Sequence, residues 1–130
     1  MLNVSREDLL GSKGALEALG KTYCPVGKEN YWFVKKLKKI HMAMKREGKL
    51  ATLESNKLVN EFGTIQLNQQ KGIDHKDTEA MEKYSSAMQE FHDKMVQVDI
   101  EPFTLTQLKE AQVTLQVADQ MSLMWMLSDE

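Results

Sequence analysis

Apolar residues recur along most of this chain at intervals of three and four, the spacing that lines side chains along one face of an α-helix. The clearest case is Tyr31–Glu47. Phe33, Val34, Leu37, Ile40, His41 and Met44 share a face there, and Lys35, Lys36, Lys38, Lys39, Lys45 and Arg46 cover the remainder. Asn30 stands where an N-cap belongs, and Gly48 where helices commonly stop. A second helix is predicted over Leu50–Phe62 from Leu50, Leu53, Leu58 and Phe62, closing at Gly63. Only Gly48-Lys49 separates the two, so they are expected to fold back on each other as an antiparallel hairpin.

The flanking pattern is more broken. Ser5-Arg6-Glu7-Asp8 reads as a helix start, with Ser5 as N-cap and acids in the first turn, where they favour the helix dipole. Gly11 and Gly14 weaken the helix beyond this start, leaving Ala15–Leu19 as a short helical piece that ends at Gly20. Cys24-Pro25-Val26-Gly27 reads as a loop. Residues 64–76 are polar; Ile65 and Leu67 alternate weakly, and Asn68–Gly72 reads as a loop.

A third helix is predicted from Asp74 or Asp77 to about Met95. Met81, Tyr84, Met88, Phe91 and Met95 succeed one another by three and four, a heptad seam over two repeats. Val96-Gln97-Val98-Asp99-Ile100 then changes to period two, the mark of a half-buried strand, and Thr64–Leu67 is its expected partner. Thr104 or Thr106 is expected to cap a one-turn helix holding Leu105 and Leu108. Thr114 is expected to cap a last helix with Leu115, Ala118, Met121, Leu123, Trp125 and Leu127. The expected fold class is mainly α: a single small helical domain over 1–130 with an antiparallel helix hairpin and one or two short strands, α+β being the alternative. Residues 1–30 are expected as a loosely attached N-terminal segment.

At 130 residues, 42% hydrophobic and 28% charged, the chain is long enough to bury a core without disulfides or metal. Its single cysteine, Cys24, forms no internal disulfide, which points to a reducing compartment. The first residues lack the basic flank and apolar stretch of a signal peptide. The longest apolar run, Leu123–Leu127, falls far short of the roughly 20 residues a membrane helix needs. A cytoplasmic protein without membrane association is expected. Charge is divided unevenly: residues 1–50 hold eleven Lys/Arg against five Asp/Glu, and residues 51–130 hold six against fourteen. Opposite halves can satisfy one another within one fold or between copies.

No catalytic or cofactor pattern emerges. His41, His75 and His92 form no i, i+4 pair and no Cys-x-x-Cys is present, so no metal site is expected. Gly11-x-x-Gly14 lacks the Lys-Ser ending of a phosphate loop, and no Gly-x-Ser-x-Gly elbow occurs. Asp74, Asp77, Glu79 and Glu82 are explained by an acidic helix start. Candidate contact residues are therefore the partner-binding kind. Trp32 with Lys35, Lys36, Lys38 and Lys39 could meet phosphates and a base. Met81, Tyr84, Met88, Met95 and Trp125 supply flexible thioethers and aromatic surface suited to a protein partner or a second copy. Protein binding in a homodimer is the expectation, and nucleic-acid binding through helix 31–47 is the alternative.

Val98-Asp99-Ile100-Glu101-Pro102-Phe103-Thr104-Leu105-x-x-Leu108, then Val113-Thr114, Ala118-Asp119 and Leu123-Met124-Trp125-Met126-Leu127, resembles the ending of small uncharacterised proteins encoded by bacterial viruses. The resemblance implies an accessory viral protein acting in the host cytoplasm by binding. A host defence or replication protein, or a component under assembly, would be its target. It brings no catalytic residues with it.

Overall fold

A computed structural model describes residues 1–21, 31–65, 71–74, 76–110, 113 and 115–128. The Cys24 loop, the Asn30 cap, Leu67, the Asn68–Gln70 stretch, His75 and the Thr114 cap lie outside the described residues. In chain order the elements are β1 (Leu2–Ser5), α1 (Arg6–Gly11), α2 (Lys13–Gly20), α3 (Tyr31–Phe62), β2 (Thr64–Ile65), β3 (Lys71–Gly72), α4 (Thr78–Asp93), β4 (Met95–Val98), β5 (Phe103–Thr104), α5 (Leu105–Glu110), α6 (Val117–Ser122), a 3-10 turn (Met124–Met126) and β6 (Leu127–Ser128). The protein is mainly α with short strands.

The N-terminal residues are bound into the core rather than loosely attached. Leu2 and Val4 alternate with Asn3 and Ser5, and β1 pairs antiparallel with β4 so that Val4 faces Val96 and Leu2 faces Val98. This replaces the expected pairing with Thr64–Leu67; β2 instead closes a small hairpin with β3. Ser5 ends β1 and caps α1, its Oγ accepting from the Asp8 amide at 3.1 Å. Leu9 of α1 and Leu16 and Leu19 of α2 are fully buried with Phe33, Ile40, Phe103, Leu123 and Met126. Each such side chain contributes on the order of 1.5–3 kcal/mol relative to exposure.

The expected hairpin at Gly48-Lys49 is corrected by α3, which runs unbroken for 32 residues, about 48 Å at 1.5 Å per residue. Its inward line, Phe33, Leu37, Ile40, Met44, Glu47, Ala51, Ser55, Leu58 and Phe62, keeps the three-and-four rhythm straight through Gly48. Glycine costs a helix about 1 kcal/mol relative to alanine, and tertiary contacts on both sides offset that. The antiparallel pair forms between the second half of α3 and α4: Ser55 Oγ meets Tyr84 OH at 2.7 Å, while Glu47 lies near the other end of α4.

Arg6 fixes that end. Its Nε donates to Glu47 Oε2 at 2.9 Å, its Nη1 donates to the Phe91 carbonyl at 2.9 Å, and its guanidinium lies 3.9 Å over the Phe91 ring. Asp77 caps α4 by accepting from the Ala80 amide. Thr104 and Gln107 form a reciprocal capping box on α5: Thr104 Oγ1 accepts from the Gln107 amide, and Gln107 Oε1 accepts from the Thr104 amide. The last helix is shorter than its periodicity suggests. It stops at Ser122, and Leu127 lies on β6, which pairs parallel with β5.

Candidate functional site

The basic helix face divides into two parts. Near the start of α3, Trp32 packs against Phe33 and Phe103 with ring centroids 5.7 and 6.0 Å away. Lys36 bends inward, donating to the Pro102 carbonyl at 3.0 Å and lying 4.7 Å from the Phe103 ring centre. Burial holds its ammonium below the usual lysine range, with Glu101 opposing that shift. Lys39 stands 3.7 Å from Asp99. Lys35, Lys36 and Lys39 thus line a hollow of about 250 Å³ together with Asp99, Ile100 and Glu101. Two of the four sequence-predicted lysines are engaged by the protein's own acids and carbonyls, and Trp32 is half-buried.

The opposite side of α3 is open. Tyr31, Val34, Lys38, Met42, Lys45, Lys49 and Leu53 are all exposed and succeed one another by three or four, so they form one solvent-facing stripe about 33 Å long. Met42 and Leu53 are 63% and 64% exposed, high values for large apolar side chains. Val34 and Leu53, read from periodicity as core residues, belong to this outer stripe. Between Lys45, Lys49, Thr52 and Leu53, the missing side chain of Gly48 leaves a shallow hollow of about 520 Å³.

The heptad seam on α4 is not an open face. Met81, Tyr84, Met88 and Phe91 are half-buried. Tyr84 is engaged by Ser55 of α3 and Phe91 by Arg6. Met95 lies on β4 rather than on the helix and is exposed beside Ser5. Trp125 is tied down as well: its Nε1 donates to the fully buried Ser12 Oγ at 2.8 Å, and Ser12 Oγ in turn reaches the Asp8 and Ser122 carbonyls at 2.6 and 3.1 Å. Around it, Met121 and Met124 are exposed and line a cleft of about 360 Å³ with Glu7 and Asp8.

His41 is exposed, and Asp93 beside His92 is engaged by Gln89 Nε2 at 2.7 Å. Among the described residues no three His, Cys, Asp or Glu side chains gather as a metal-ligand group, and no helix is long and apolar enough to cross a membrane. The opposed charge halves touch at Lys39–Asp99 and at the Met1 amine with Glu101, both solvent-exposed pairs. Sequence reasoning missed the outer stripe, although its spacing is the same signal that marks the inner one. Compared with family models, curated proteins and solved structures, the chain matches none.

Proposed function

We propose that this is a non-enzymatic accessory protein that works by binding a protein partner, with the outer stripe of α3 as its contact face. The observation that carries the proposal is the exposure of Val34, Met42 and Leu53 in register with Lys38, Lys45 and Lys49 on a long, well-anchored helix. A rigid helix presenting apolar anchors between cations suits a partner segment that is itself amphipathic and acidic. The likeness of residues 98–127 to phage-encoded proteins favours a viral accessory role, in host modulation or assembly.

The test is affinity capture from producing cells, after nuclease treatment, with the wild type and a Met42→Glu/Leu53→Glu variant. Both positions are exposed, so the variant keeps the fold while placing acid on the stripe. Proteins held by the wild type and released by the variant are the expected result. Equal retention by both, or loss of everything on nuclease treatment, overturns the proposal. Nucleic-acid binding is favoured by one observation, the seven exposed cations Lys35, Lys38, Lys39, Lys45, Arg46, Lys49 and Lys57 on one helix. Against it stand the packing of Trp32, which removes a stacking platform, and the inward turn of Lys36 onto the Pro102 carbonyl, which takes one cation from the same helix.

A further inference from the structure

We propose that the basic stripe of α3 in one copy of this chain docks on the acidic cleft of a second copy, with an exposed methionine seated in the hollow over Gly48. The proposal rests on α3 being a docking face and names one occupant for it. Two exposed amphipathic faces lie on the same chain, and their chemistry is complementary. On α6 and the turn after it, Val117, Met121 and Met124 are spaced by four and three and are 72%, 68% and 68% exposed. Glu7 and Asp8 line the same cleft as Met121 and Met124. On α3, Lys45 and Lys49 flank the hollow, and a Cβ at Gly48 would meet nothing within 4 Å.

The fit comes from side-chain physics. Methionine is unbranched and flexible, so it fills an irregular hollow that a branched side chain would not enter. Seating it there brings apolar surface against Leu53 and removes both from water. The acids of the cleft then face the lysines of the stripe, which sets orientation and speeds encounter. A net charge of −2 leaves little repulsion between copies. Because the two faces differ, the contact is heterologous, and copies add in a row or close into a ring.

The experiment is light scattering on the full chain across a concentration series at low and moderate salt. Four proteins are compared: wild type, Glu7→Lys/Asp8→Lys, Lys45→Glu/Lys49→Glu, and Gly48→Gln, which fills the hollow without changing charge. Circular dichroism checks that each remains helical. The wild type is expected to rise above the 14.9 kDa monomer mass with concentration, and less steeply at higher salt. Each variant alone is expected to associate at least about tenfold more weakly. An equimolar mixture of the two charge-reversed variants is expected to regain the higher mass, because each reversed face then meets its opposite. A wild type that stays monomeric, association indifferent to these substitutions, or a mixture that stays monomeric overturns the proposal. A monomer that still captures a protein through Met42 and Leu53 assigns the stripe to that partner, leaving the proposed function standing and self-docking refuted.

Discussion

Glu47→Ala removes the carboxylate on which two guanidinium groups converge. The Arg6 and Glu47 side chains are only 12% and 6% exposed, and their Nε–Oε2 distance is 2.9 Å. Truncating one partner of a buried pair typically costs about 3–5 kcal/mol, because the other charge is left without compensation. Arg46 also donates to Glu47, at 3.2 Å, but it is 58% exposed, so its share is below about 1 kcal/mol. Arg6 keeps the Phe91 carbonyl and the Phe91 ring, which places the expected loss near the lower end, about 3 kcal/mol. Glu47→Gln keeps the shape and one acceptor and should lose about half as much. Arg6→Met/Glu47→Met, which removes both charges together, should recover most of the stability. Urea unfolding supplies the free energies, and melting temperature should fall by roughly 4 °C per kcal/mol in a domain of this size. A Glu47→Ala loss below about 1 kcal/mol, with the double variant no better than the single, would show that α1, α3 and α4 are not joined at this point.

Ser12→Ala leaves the Trp125 Nε1–H without its buried acceptor and should cost about 1–3 kcal/mol; urea unfolding measures the loss, and a red shift of tryptophan emission should accompany it. Gly48→Ala should stabilise the protein by about 0.5–1 kcal/mol, since the helix is continuous there and the added methyl meets nothing. Gly63→Ala should instead cost more than about 1 kcal/mol, because a Cβ would stand 2.3 Å from the Val59 carbonyl oxygen and 2.9 Å from that of Gly72. Thermal unfolding of both glycine variants gives the signs; a loss at Gly48 would point to a turn at that position.

What could be read from the sequence was local. Ser5 caps α1 as its spacing said, and of the paired alternatives Asp74 or Asp77 and Thr104 or Thr106 the fold uses Asp77 and Thr104; a cap joins residues three apart and needs nothing distant. The period-two run Val96–Ile100 is a strand as far as Val98, because alternation also is a local signal. Its partner was not legible: Leu2–Ser5 offers only two apolar residues, and the pairing joins positions 90 to 96 residues apart. Gly48 looked like a stop because glycine commonly follows a helix end, and the inward line around it, Glu47, Ala51 and Ser55, holds no large apolar residue to carry the helix through. Glu47 is an inward residue only because Arg6, 41 positions away, supplies its partner. The heptad seam reads as a face for a partner or a second copy, whereas Met81, Tyr84, Met88 and Phe91 are half-buried within the fold and Met95 lies exposed on β4; a heptad does not say what covers it. The Tyr84–Ser55 hydrogen bond answers that with two hydroxyls, to which a hydrophobic pattern is blind.

The outer stripe of α3 was hidden by a different cause. A three-and-four rhythm selects a face only when apolar residues are confined to one side of the helix. Here they stand on both, and Val34 and Leu53 fit an inward stripe by count alone. The fold breaks the tie. Phe33 and Ile40 are taken into the core by α1, α2 and the β1–β4 pair, while Val34, Met42 and Leu53 are left in water with lysines between them. Exposed apolar residues scattered singly are ordinary on a protein surface. Here three share one line on a rigid helix, interleaved with like charges, and a second such line of opposite charge borders the Glu7–Asp8 cleft. The fold leaves the large apolar side chains of both lines in water, which is what supports the proposal that they meet another molecule.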